Sequence, residues 1–256
     1  MVDWYWLGGF VLSLVALAFL QRRLHFELQA IFLLITHRAD ITLVLFSLIF
    51  FPGVLLHEAS HFITARLLGV RTGRFSLIPK PLPNGRLQLG YVETAQVDLV
   101  RDALIGLAPL LMGGAFVALV GLVPMGLSTL WAGLTGGGTA SEALKALIAV
   151  IPVIHHRPDF YLWFYLVFAV SSTLLPSASD RRTWLPILLA GCVGLGLVMF
   201  VGAGPWLLAQ LAPLLNQVLW ASALVFGISA VIHLVVWLPL WGVRMLIGRL
   251  RGMEVG

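Results

Sequence analysis

The segment Ile41–Leu68 has the sequence ITLVLFSLIFFPGVLLHEASHFITARLL. It contains no Asp, Glu, Lys or Arg from Ile41 through His57, and His57, Glu58 and His61 lie in its second half. An α-helix needs about 20 mostly apolar residues to cross the hydrocarbon core of a bilayer. The segment is therefore expected to be a transmembrane helix that carries ionisable groups at membrane depth.

The composition of the whole chain favours the same environment. Of 256 residues, 60% are hydrophobic and 11% are charged, whereas a soluble domain has roughly a quarter charged residues. We therefore expect a multi-pass integral membrane protein in contact with the lipid bilayer. Basic residues scattered between apolar blocks account for the net charge of +5, and they indicate membrane topology rather than nucleic-acid binding. A single cysteine, Cys192, excludes an intrachain disulfide.

The hydropathy pattern predicts an all-α polytopic fold with about six spans. The expected spans are Trp4–Leu20, Ile41–Leu68, Ala103–Val123, Phe160–Pro176 and two within Thr183–Val243, with a break between Gly202 and Asn216. Leu24–Thr36 is either an interfacial helix or part of the next hairpin. We expect one membrane domain, residues 1–256, with an N-terminal helix and linker (1–40), a core (41–180) and a C-terminal helix pair (183–256).

Basic residues near the span ends predict the topology. Arg244, Arg249 and Arg251 follow the last span, so the positive-inside rule places the C-terminus in the cytoplasm. Counting back over six spans places the N-terminus there as well. Arg22, Arg23 and Arg38 then lie outside, against the rule.

Residues 74–92 lie between the second and third spans and alternate between apolar and polar side chains. Two such stretches, Arg74–Ile78 and Arg86–Val92, flank Pro83-Asn84-Gly85. Alternation of period two around an Asn-Gly turn is typical of a β-hairpin. An irregular polar loop is the alternative.

His57-Glu58-Ala59-Ser60-His61 is a His-Glu-x-x-His motif. Residues i and i+4 share one face of a helix, so both imidazoles can reach one zinc ion. Glu58 is rotated by about 100° from His57, and can accept a proton from water without binding the metal. The alternative is a chance grouping on one helix. Each ionisable group at the bilayer centre costs about 2.5–3.5 kcal/mol, which favours a functional site.

This segment resembles the first signature of the site-2 protease family of intramembrane zinc metalloproteases. The matching residues are Gly53-x-x-x-His57-Glu58-x-x-His61, followed by Ala65-Arg66 and Gly69-Val70. Six spans with cytoplasmic termini resemble the archaeal branch, which implies a bacterial or archaeal cell membrane. The resemblance also implies a catalytic core of spans two to four, one zinc ion per chain, and a membrane-associated β-hairpin that pairs with an extended substrate strand.

The family supplies its third zinc ligand in a pattern like Asn-x-x-Pro-x-x-x-Leu-Asp-Gly, which implies that Asp180 is the third ligand here. In this chain Thr173 replaces the asparagine, the spacing is one residue shorter and Arg181 replaces the glycine. The alternative is a solvated Asp180 paired with Arg181 or Arg182. The segment Gly106–Gly113 resembles a second family element, Gly-Pro-x-x-Asn, without its asparagine.

Other polar residues within apolar surroundings have simpler interpretations. His155, His156 and Asp159 form a cluster on the predicted outer side, away from His57, and are interpreted as a polar loop. His233 lies alone in a span and is expected to bond a neighbouring helix.

The functional hypothesis is hydrolysis of peptide bonds in or near transmembrane segments of membrane-protein substrates, with Glu58 activating the water. A proteolytically inactive membrane scaffold is the alternative, because the Asp180 region departs from the family pattern. A transporter is disfavoured, since the sequence lacks two similar halves with broken helices.

Overall fold

The computed structural model describes residues 3–81, 87–125 and 158–251 and is mainly helical. The helices are α1 (Trp4–Thr36), α2 (Ala39–Leu67), α3 (Leu99–Leu122), α4 (Phe160–Ser171), α5 (Trp184–Phe200) and α6 (Gly204–Arg251). Among the described residues, α1, α2, α3 and α6 are long and apolar enough to cross a membrane. This agrees with an integral membrane protein. The apolar helices α4 and α5 have only 12 and 17 residues, so the six predicted spans are not established.

The first helix is longer than the sequence pattern indicated. Asp3 caps it by accepting a hydrogen bond from the amide of Tyr5, and α1 then continues without a break to Thr36. Leu24–Thr36 is thus not a separate interfacial helix: it is the second half of α1 and forms a helical hairpin with α2, as the second alternative expected. Arg22 and Arg23 do not interrupt it, because arginine is a good helix former whatever its effect on hydropathy.

Helices α1 and α6 run parallel to each other. The amide of Asp3 donates to Asn216 Oδ1, Phe10 packs near Phe226, and Glu27 forms a partly buried ion pair with Arg244. Residue numbers therefore rise together along the two helices. The start of α1 and the end of α6 therefore lie at opposite ends of the pair, and the placement of the two termini relative to the membrane stays a prediction.

The break in the C-terminal apolar region is shorter than expected. Only Val201–Ala203 separates α5 from α6, where Gly202 has a φ of 78°. Asn216 lies within α6, and so does Pro213. Helix α6 has 48 residues, or about 70 Å at 1.5 Å per residue, which is more than twice the thickness of the hydrocarbon core, about 30 Å.

Helices α2, α3 and α4 pack closely together through small residues. A Cβ atom on Gly53 of α2 would lie 2.1 Å from the carbonyl oxygen of Ala169 in α4. A Cβ atom on Gly106 of α3 would lie 2.2 Å from the carbonyl oxygen of Asp180, beyond the end of α4. These glycines let the backbones approach and bring the end of α4 beside the second half of α2.

Two small antiparallel sheets of two strands each, together called the sheet below, follow α2. Their strands are β1 (Thr72–Ser76), β2 (Lys80–Pro81), β3 (Leu87–Gln88) and β4 (Tyr91–Thr94). Strand β1 pairs with β4, and β2 pairs with β3, both antiparallel. This confirms antiparallel pairing across residues 74–92, while the predicted turn at Pro83-Asn84-Gly85 lies outside the described residues.

Candidate metal centre

Helix α2 and the loop after α4 bring the three predicted metal ligands together. The rings of His57 and His61, one turn apart on α2, have centroids 4.9 Å from each other. Asp180 faces both rings, with 3.2 Å from Oδ1 to His61 Nε2 and 3.6 Å from Oδ2 to His57 Nε2. The three side chains are between 9% and 14% exposed. This arrangement could hold a metal ion.

Main-chain carbonyls orient both imidazoles. Nδ1 of His57 lies 2.9 Å from the carbonyl oxygen of Thr173, and Nδ1 of His61 lies 2.9 Å from that of Ile105. A carbonyl oxygen only accepts hydrogen bonds, so Nδ1 carries the hydrogen in each ring. A neutral imidazole protonated on Nδ1 has its lone pair on Nε2. Both lone pairs therefore point towards the Asp180 carboxylate.

The spacing of these atoms suits a metal ion better than direct hydrogen bonds. Ligands at 2.0–2.2 Å in a tetrahedral zinc site lie about 3.3 Å apart, close to the observed 3.2 and 3.6 Å. A charge-assisted hydrogen bond between imidazolium and carboxylate would span about 2.7–2.9 Å. Three electron-rich atoms converge on one point, and a cation among them removes their mutual repulsion.

Asp180 is held in place by its own loop. Its Oδ2 accepts a hydrogen bond of 2.7 Å from the amide of Ser177. Burial alone would raise the pKa of this carboxyl, whereas the hydrogen bond from the Ser177 amide lowers the pKa. A metal ligand must be ionised, and this amide stabilises the ionised carboxylate.

The neighbouring arginines have other partners, so the alternative of a solvated Asp180–arginine pair is not what the structure contains. Arg182 Nε donates to Asp102 Oδ2 of α3 at 2.9 Å, and Arg181 Nε donates to the carbonyl of Ser177 at 3.2 Å. The Arg182–Asp102 pair ties the loop that carries Asp180 to the start of α3.

Glu58 lies beside the three ligands, between α2 and the sheet. Its side chain is 8% exposed. Gly90, between β3 and β4, packs directly on it, because a Cβ atom there would lie 2.8 Å from Glu58 Cγ and 3.0 Å from a methyl carbon of Val54. The sheet thus covers the acid that the motif places next to the metal ligands.

An apolar groove runs along the same face of α2. It has a volume of about 180 Å³, and its lining includes Val44, Leu48, Phe51 and Val54 of α2 with Leu77 and Leu89 from the sheet region. Val54 lies one turn before Glu58 and also contacts Gly90, so the groove leads towards the candidate centre.

The remaining sequence candidates do not join this centre. His155 and His156 lie outside the described residues. Asp159 accepts a hydrogen bond from Trp163 Nε1 at 2.7 Å. His233 is fully buried, with Nδ1 2.7 Å from the carbonyl of Ser229 and Nε2 3.0 Å from Ser172 Oγ, which confirms the expected bond to a neighbouring helix.

Sequence reasoning missed the groups that surround the ligands. The carbonyls of Thr173 and Ile105 give no signal in a sequence, since every residue has one. Gly90 does leave a signal, because a glycine inside a predicted strand often marks a close approach of another group.

The chain matches no protein-family model, no curated protein and no solved structure. Any functional assignment therefore depends on the geometry of His57, His61, Asp180 and Glu58.

Proposed function

We propose that this protein is an intramembrane zinc metalloprotease of the site-2 protease type, an endopeptidase. The observation that carries the proposal is the convergence of two oriented imidazole nitrogens and one carboxylate beside a buried glutamate. Two histidines and one carboxylate form a known catalytic zinc ligand set, which leaves a fourth position open. This donor set also favours zinc over magnesium or calcium, which prefer oxygen ligands.

Each side chain at the centre would have a separate role in hydrolysis. His57, His61 and Asp180 would hold the zinc ion, and Glu58 would take a proton from the attacking water. A bound zinc ion supplies Lewis acidity towards water and towards the peptide carbonyl. Gly90 packs against Glu58 and Val54 on the side of the sheet.

The apolar groove suits a substrate taken from the bilayer. Every backbone group of a membrane helix is bonded within the helix, so a peptide bond must be unwound before water can attack it. We propose that the unwound segment lies along the sheet in an extended conformation, with apolar side chains in the groove next to Leu48 and Phe51. The substrates are thus membrane proteins cleaved in or near a transmembrane segment.

The decisive test replaces Glu58 and measures zinc and cleavage separately. The purified protein is reconstituted into liposomes with a set of single-span substrate proteins, and zinc per chain is determined by elemental analysis. We expect one zinc ion per chain in both wild type and Glu58→Gln. Cleavage by the variant should fall by about 10²–10⁴-fold, the usual contribution of a general base.

Asp40→Asn is the control. Asp40 is an exposed carboxylate at the start of α2 that pairs with Arg38, far along the helix from His57 and outside the sheet. Its substitution should leave zinc content and cleavage unchanged. Full cleavage by Glu58→Gln would refute the role of Glu58, and wild-type protein that binds zinc but cleaves nothing would favour the inactive scaffold.

A further inference from the structure

A chain of polar contacts runs from the metal centre into two helices outside the α2–α4 core. The carbonyl of Thr173 accepts from His57. The preceding residue, Ser172, is 1% exposed, and its carbonyl accepts a 2.6 Å hydrogen bond from Gln21 Nε2 of α1. The hydroxyl of Ser172 lies 3.0 Å from His233 Nε2 of α6. Helices α1 and α6 therefore both bond to Ser172, and the carbonyl of the next residue, Thr173, orients His57.

The hydrogen-bond acceptors determine where the hydrogens lie in this series of contacts. Nδ1 of His233 lies 2.7 Å from the carbonyl of Ser229 and must donate to it. A neutral ring then accepts at Nε2, so the Ser172 hydroxyl donates to His233. A charged ring would be costly in surroundings where His233 is fully buried. The carbonyl of Phe168 lies 2.8 Å from the same hydroxyl and is a second acceptor for its single hydrogen.

These contacts lie just beyond the C-terminal end of α4. The helix ends at Ser171, and the last carbonyls of a helix have no partner within it. Gln21 bonds the carbonyl of Ser172, and His57 bonds that of Thr173. The direction of the Thr173 carbonyl, and with it the direction of the His57 lone pair, depends on how Ser172 is anchored.

We propose that Gln21 and His233 are positioning residues of the metal centre, acting through Ser172 and the Thr173 carbonyl on His57. The inference rests on the proposed function, because it assumes that His57 binds zinc. It assigns a task to α1 and α6, which contribute none of the three ligands. Partners that orient a metal-bound histidine are typically worth about 10–100-fold in metal affinity.

The test compares two adjacent serines. Ser172→Ala removes the hydroxyl that bonds His233, whereas Ser171→Ala removes an equally buried hydroxyl that bonds only Phe168 of its own helix. Zinc affinity is measured on the full-length protein by competition with a chelator, and ligand geometry by the visible absorption of the Co²⁺-loaded protein. We expect Ser172→Ala to lose about tenfold or more in affinity with an altered Co²⁺ spectrum. Ser171→Ala should match wild type in both.

Three further variants make the result independent of the folding of Ser172→Ala. Gln21→Met removes the amide donor without changing α4, and should also lower zinc affinity. His233→Gln keeps an acceptor for Ser172 and should retain more affinity than His233→Leu. Wild-type affinity and spectrum in both Gln21→Met and His233→Leu would overturn the positioning role. Absence of zinc binding by wild-type protein would instead overturn the proposed function itself.

Discussion

At the scale of single residues, the centre depends on backbone groups more than on the side chains around it. His57 and His61 are both oriented by main-chain carbonyls, those of Thr173 and Ile105. A carbonyl is present whichever residue occupies the position. The site-2 protease pattern has asparagine at the position of Thr173. This difference does not remove the bond from His57 Nδ1, because the acceptor is the main-chain carbonyl of residue 173.

Gly90 provides a prediction about the proposed base. In Gly90→Ala the new methyl group would lie 2.8 Å from Glu58 Cγ and 3.1 Å from its Oε1, so the carboxylate or the sheet must move. A displacement of about 1 Å can cost roughly 10²-fold in rate. We expect cleavage to fall by about that factor while zinc content stays at the wild-type value, because the three ligands are untouched.

Gly114→Ala in α3 is the control, since its Cβ atom would make only an ordinary 3.9 Å contact with Val225. It should cleave at the wild-type rate. Equal cleavage by Gly90→Ala and Gly114→Ala would show that the sheet does not constrain Glu58.

At the scale of helices and strands, the contact between α2 and α4 sets the position of the ligands. Gly53 lies one turn before His57, and a Cβ atom there would lie 2.1 Å from the carbonyl oxygen of Ala169 and 2.8 Å from Thr173 Oγ1. Gly53→Ala must push the two helices apart, which typically costs about 1–3 kcal/mol. We expect a lower melting temperature in detergent together with a loss of zinc affinity, measured by chelator competition.

Gly227→Ala in α6 separates this effect from helix propensity, because nothing lies within 4 Å of its Cβ position. Alanine is favoured over glycine in a helix interior by up to about 1 kcal/mol, so this variant should melt no lower than wild type. Unchanged zinc affinity in Gly53→Ala would disprove the link between this contact and the metal centre.

Several of these elements could be predicted from the sequence because the information is local. The spacing of His57 and His61 places both on one helix face, and residues 74–92 alternate with the period of a strand. Asp180 could be proposed from its place after an apolar segment and from the family pattern. The carbonyl partners and the Gln21–Ser172 contact could not, because they join residues far apart in the chain through groups that carry no sequence signature.

The helix boundaries predicted from hydropathy were wrong for a related reason. Hydropathy measures which residues lipid tolerates, whereas a helix continues through any residue that keeps its backbone hydrogen bonds. Arg22 and Arg23 therefore lie within α1. Pro213 lies within α6 although it has no amide hydrogen to donate, so α6 continues past one missing hydrogen bond.

At the scale of the whole molecule, the parallel pairing of α1 and α6 packs the first helix against the last one. The partly buried pair of Glu27 and Arg244 fixes the register, and Arg244 also lies over the ring of Phe26. Hydropathy cannot predict such pairing, because it does not say which helices are neighbours. Since α2 runs back along α1, with His25 against Phe50, the metal centre lies towards the side where α1 begins.

The pairing predicts that the two ends of the chain face opposite sides of the membrane, if α1 and α6 each cross it once. Cys192, the only cysteine, is exposed on α5 and is first replaced by serine. Single cysteines are then placed at Trp4 or Arg249, both exposed, and labelled with a membrane-impermeant thiol reagent in intact cells and in inverted vesicles. Basic loops next to the metal centre, with Arg74 and Arg181, place the Trp4 side in the cytoplasm by the positive-inside rule. We expect Trp4→Cys to react only in inverted vesicles and Arg249→Cys only in intact cells. Labelling of both positions in inverted vesicles alone would mean that α6 does not cross the membrane parallel to α1, and would restore two cytoplasmic termini.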